Sequence, residues 1–175
     1  MPIANNNIRG TTRWLCVSAL FMALNIVMSS FGVPVPGGHL YLNDIIIAVA
    51  AILLDPLAAF LVGGVGAFLG DFFFYPAPMF VSLLTRGLQA VAISVIAHGV
   101  LKRNPVAASS LGVAVGAMIS VIGYSIGRAF VYATPEAALL KLPYQLLMAF
   151  GGGVIALILC WKFGVEKEFR RWTEV

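Results

Sequence analysis

From position 12 to position 163 the chain is a succession of long apolar runs, broken only by short stretches that carry Pro, Gly, Asn or Asp. Runs near 20 residues are what a helix needs to cross a hydrocarbon layer about 30 Å thick. The composition leaves little alternative. Of 175 residues, 61% belong to the AVILMFWYC set and 10% are charged, where a soluble domain carries about 45–50% and about 25%. A soluble domain of this size still exposes about a third of its unfolded surface, and the chain has too few polar side chains to coat it. Six spans of about 20 residues would leave about 55 for loops and termini, which excludes a large soluble domain on either side.

The breakers predict six helices, over residues 12–30, 45–54, 56–73, 79–101, 106–132 and 142–163. Residues 31–43 (FGVPVPGGHLYLN) hold too much Pro and Gly to lie in lipid and read as a lid-like loop. Asn43 or Asp44 can cap the second helix, which is short for a full span, and Asp55-Pro56 breaks it from the third. The expectation is an all-α integral membrane protein, a single six-transmembrane-helix domain over residues 1–175.

Charge placement tests this topology. Arg9, Arg13, Lys102, Arg103, Lys162, Lys167, Arg170 and Arg171 would all face the cytoplasm if both termini do, leaving Lys141 in an outside loop and Arg86 and Arg128 within helices. The net charge of +4 is therefore the signature of cytoplasmic loops, not of a nucleic-acid stripe. The first apolar run lacks a small-residue cleavage site and reads as a retained span rather than a signal peptide. Cys16 and Cys160, near the basic ends, read as buried packing residues of a reducing compartment. Glycines spaced four apart, such as Gly66 and Gly70 or Gly112 and Gly116, read as close-packing positions between helices.

Charges inside a bilayer are costly and need a partner or a purpose. Here they gather at one level, the outer half: Asp71, Arg86 and Arg128, with His39, Tyr41, Asn43 and Asp44 from the loop, and Tyr144 and Gln145 from the sixth helix. Ser82, Arg86 and Gln89 share one face of the fourth helix, and Ser120, Tyr124 and Arg128 one face of the fifth. Two polar stripes in apolar helices are expected to face each other and line an outward cavity for a small polar, aromatic molecule. The structural alternative is an ion pair of Asp71 with Arg86 or Arg128. Arg86→Met is expected to abolish ligand binding and leave folding intact. No metal-ligand cluster, nucleophile constellation or phosphate-binding GxxxxGK[ST] loop is present in the sequence, so an enzyme is disfavoured, and if transport against a gradient occurs its energy must come from another chain.

The ordered set Gly38-His39-Leu40-Tyr41-Leu42-Asn43-Asp44, Leu54-Asp55-Pro56, Gly70-Asp71 and Pro78 leading to Thr85-Arg86-Gly87 resembles the S components of energy-coupling factor (ECF) vitamin transporters, over nearly the whole chain. It looks most like the subgroup of hydroxymethylpyrimidine and pyridoxine carriers. Ala19 and Ala23 match the AxxxA pattern by which the first helix of S components packs on the transmembrane T component. The resemblance implies a multi-pass protein of a bacterial plasma membrane that binds a water-soluble vitamin from outside, without a cofactor of its own. It would dock on one T component and two ATPases, which hold the ATP and Mg. Candidate binding residues are His39, Asn43, Asp71, Arg86, Gln89, Tyr124, Arg128 and Gln145, with Ala19 and Ala23 for partner coupling. Pantothenate, riboflavin or folate are the alternative ligands, and a membrane scaffold subunit without a ligand is the alternative of another class.

Overall fold

The computed structural model describes residues 11–35, 38–100 and 104–173. Helix α1 (Thr12–Ser30) starts where the Thr11 hydroxyl accepts from the Trp14 amide at 3.4 Å. Its pattern reverses that of a soluble amphipathic helix: Ser18, Asn25 and Ser29 are buried, while Leu15, Leu20 and Val27 face outward. Lipid suits the apolar side, and the bundle supplies partners for the polar one.

The stretch expected to be an irregular loop folds as an antiparallel hairpin, β1 (Gly32–Val35) and β2 (Gly38–Tyr41), with Pro34 opposite His39. The chain is thus not purely α. Strand β2 lies against α1 and the last long helix, α6 (Pro135–Lys162), so the hairpin straps one end of the bundle.

Helix α2 (Asn43–Leu53) has 11 residues, about 16 Å of helix against about 30 Å of hydrocarbon. It does not need to span alone. Residues 47–54 are all buried, enclosed by α1, α4 (Met79–Gly99) and α6. Asp55 ends it and caps the next helix, accepting from the Leu57 amide at 3.2 Å, with Pro56 in the first turn. The same carboxylate takes Trp14 Nε1 at 2.6 Å, which ties α1 to the break.

Among the described residues, five helices are long and apolar enough to cross a membrane: α1, α3 (Pro56–Phe74), α4, α5 (Pro105–Tyr132) and α6. Helix α3 packs on two neighbours through bare backbone. A Cβ at Gly64 would lie 2.9 Å from the Leu83 carbonyl oxygen of α4, and one at Gly70 would lie 2.5 Å from Ser29 Oγ of α1. The π-helical stretch Leu61–Val65 within α3 presents the Val62 carbonyl to Asn25 Nδ2 at 2.7 Å.

Helix α6 begins at Pro135, not near residue 142. Thr134 caps it, accepting from the Ala137 amide at 3.4 Å, and Pro143 is carried inside the helix. A proline there forgoes one hydrogen bond but does not end the helix. Lys141 is therefore a buried helical residue and not part of an outside loop. Beyond Gly164, at φ +72°, a short helix α7 (Val165–Thr173) follows. Both cysteines are free thiols; Cys160 is buried as expected, whereas Cys16 is exposed.

Candidate functional site

The two polar stripes meet. Ser82 Oγ of α4 lies 2.6 Å from the Tyr124 hydroxyl of α5, and Arg86 Nη1 donates to Ser120 Oγ at 3.2 Å. The Arg86 guanidinium carbon sits 5.0 Å from the centroid of the Tyr124 ring, within cation–π range. Beside this seam, at the end strapped by the hairpin, is a cavity of about 90 Å3. Its charged walls are Asp44, Asp71, Arg86, Arg128 and Lys141, and Tyr75, Tyr124 and Tyr132 supply aromatic surface.

Arg86 organises the inner side. Its guanidinium forks onto Asp44, Nη1 to Oδ1 and Nη2 to Oδ2, the latter at 3.0 Å. Nη1 also donates to Gln89 Oε1 at 2.9 Å and Nη2 to Asn43 Oδ1 at 3.3 Å, while Gln89 Nε2 donates to Asp44 at 3.1 Å. Bidentate geometry and saturated lone pairs are what let a buried ion pair persist at low dielectric. Asp44 sits in the first turn of α2, where the helix dipole further favours a negative charge. Asn43 Nδ2 reaches Ser29 Oγ of α1 at 3.4 Å, so the network touches four helices.

The ion pair drawn from the sequence is thereby corrected: Asp44, not Asp71, holds Arg86. Asp71 lines the cavity facing Ser82, in the field of Arg86 and Lys141. Arg128 has a different setting. Its Nη1 donates to Gln145 Oε1 at 3.1 Å, its guanidinium lies 5.8 Å from the Tyr132 ring centroid, and Gln145 Nε2 donates to the Ser120 carbonyl at 3.2 Å.

Of the residues singled out from sequence, Asn43, Asp71, Arg86, Tyr124, Arg128 and Gln145 line one cavity. Gln89 does not line it; it stands behind Arg86 and holds the ion pair in register. His39 lies in β2, and its side chain falls outside the described residues. Ala19 and Ala23 are exposed on the outer face of α1. Wall residues missed as ligand candidates include Asp44, Tyr75, Ser120, Tyr132 and Lys141. The signal for Lys141 was the spacing Lys141–Gln145, a third polar stripe at four-residue separation, masked by starting the sixth helix at residue 142.

The family model for "ECF-type riboflavin transporter, S component" matches residues 9–164. The chain belongs to this family. Over 135 residues, 76% of this chain and 88% of the other, it is also 28% identical to a protein of Pyrococcus woesei described as "Uncharacterized protein in gap 3'region". Membership makes the chain an integral membrane S component, a vitamin-binding uptake subunit and not an enzyme. In this family the ligand-binding subunit works with a T component and ATPases.

Proposed function

We propose that this S component captures a compact, single-ring, hydroxyl-bearing vitamin or precursor, hydroxymethylpyrimidine or pyridoxine, from outside the cell. The observation that carries this reading is the cavity itself. At about 90 Å3 it is small beside the about 300–1,000 Å3 of pockets for drug-sized ligands. That favours one ring over the three fused rings and sugar-like chain of riboflavin, which remains the alternative through the family's name. The tyrosines offer stacking faces, and Asn43, Gln145 and Arg128 offer hydrogen bonds to ring substituents.

In this reading residues 1–175 act as a single domain that crosses the plasma membrane six times, α2 completing its pass within the bundle. Both termini lie in the cytoplasm, and the cavity faces outward. Uptake is driven by two ATPases through one T component, docked on the Ala19 and Ala23 face of α1. The purified protein in detergent, melted against pyridoxine, hydroxymethylpyrimidine, riboflavin and pantothenate, tests the ligand. A single-ring compound at 100 times its Kd should add about 2.7 kcal/mol to stability; stabilisation by riboflavin alone would overturn the single-ring assignment. Ala19→Trp should abolish copurification of the T component and ATPases and leave the ligand-induced shift intact.

A further inference from the structure

The cavity wall is not electrically balanced. Arg86 is matched by Asp44 through the bidentate fork, and as a pair they are neutral. Among the described residues, what remains on the wall is Asp71 against Arg128 and Lys141, a formal excess of one positive charge. Arg128 is only 4% exposed. Its partners among the described residues are the neutral Gln145 amide and the Tyr132 side chain, neither of them a carboxylate. A guanidinium withdrawn from water at membrane depth without a counter-charge is expensive, and this one borders an open cavity. Its planar fork suits a carboxylate or phosphate oxygen pair.

We propose that the cavity binds the acidic form of a single-ring vitamin, a carboxylate or phosphate ester, with the oxyanion at Arg128 and Lys141 and the ring towards Tyr124. This rests on the single-ring reading above and sharpens it. The neutral alcohol satisfies the tyrosine wall alone, whereas the acid also supplies the charge that the wall lacks. Arg86 would take no direct part in selecting the acid, because its Nη donors are already committed to Asp44, Asn43, Gln89 and Ser120.

The test compares pyridoxine with pyridoxine 5′-phosphate and 4-pyridoxic acid, and hydroxymethylpyrimidine with its phosphate, by calorimetry in nanodiscs of neutral phosphatidylcholine. The acid of at least one pair should bind about ten- to a hundredfold more tightly than the alcohol, the range expected of a hydrogen bond to a charged group. That ratio should fall towards one in Arg128→Gln and in Lys141→Met, and be largely kept in Arg128→Lys, with the melting of each ligand-free variant reporting its folding. Equal affinity of alcohol and acid, or an undiminished ratio in Arg128→Gln, would overturn the inference and leave the single-ring reading standing. Binding of riboflavin but of no single-ring compound would remove both. Inorganic phosphate alone should stabilise far less than the ring acids; if it matches them, the site is a bare anion site and the inference fails. Repeating the series in phosphatidylglycerol nanodiscs should preserve the ratio, and its loss there would assign the positive wall to a lipid headgroup instead.

Discussion

Arg86 and Arg128 stand on adjacent helices beside one cavity, both almost wholly buried, and their surroundings are opposite. Arg86 spends its Nη donors on Asp44, Asn43, Gln89 and Ser120, groups from α2, α4 and α5. Arg128 has an amide and an aromatic ring. The first arginine is part of what assembles the bundle; the second is held ready beside the space. A buried cation is therefore no guide to its role until its counter-charge is found. The difference governs what each substitution should do.

The largest effect belongs to Arg86→Met. Read from the sequence alone, this change removes a ligand contact and spares the fold. With Asp44 as partner it instead strands a buried carboxylate, at a cost of about 3–5 kcal/mol. The unfolding midpoint in detergent should drop accordingly, before any ligand is added. Adding Asp44→Asn to Arg86→Met should recover most of the loss, since both charges are then gone. A double variant no more stable than the single one would mean that packing of the long side chain, not charge pairing, is what Arg86 contributes.

A smaller effect is expected where a neutral group meets backbone. Asn25 Nδ2 reaches the Val62 carbonyl in the π-helical stretch of α3. Asn25→Ala should lower stability by about 1 kcal/mol, the range of single hydrogen bonds in helical membrane proteins. A loss approaching that of Arg86→Met would show that the α1–α3 junction depends on this bond as heavily as the cavity depends on its ion pair.

How far these contrasts could be read in advance depends on the range of the interaction. Helices α1, α3, α4 and α5 follow directly from apolar runs and their breakers, because lipid imposes one solution on such runs. The facing of Ser82 and Tyr124 follows from four-residue spacing on two helices, a local rule. Asp44 as the partner of Arg86 does not follow, since 42 residues separate them and nothing local says that α2 runs inside the bundle. Lys141 was lost because the apolar run from residue 142 was taken as the sixth helix, whereas the Thr134-Pro135 cap upstream begins the helix earlier. The hairpin was hidden because Pro34 argues against a strand, although a two-stranded ribbon has only edges and tolerates it. The π-helical turns, including the one that carries Arg128, have no evident pattern in the sequence.

The smallest effect on stability should come from Arg128→Gln, and it is the sharpest test of the contrast. No carboxylate is stranded when this charge is removed, and a glutamine can keep an amide contact with Gln145. The ligand-free protein should then unfold within about 1 kcal/mol of the parent, or somewhat later, because an uncompensated cation has left a low-dielectric site. A loss of several kcal/mol would mean that Arg128 already has its counter-charge in the folded protein, with Asp71, the described wall carboxylate not held by Arg86, as the candidate. In that case the two arginines would be alike, and the double variant Asp71→Asn with Arg128→Gln should restore the loss as the Asp44 and Arg86 pair does. If instead Asp71→Asn alone leaves stability unchanged, Asp71 and Arg128 act independently. The positive wall is then a property of the resting cavity rather than of a pair that opens.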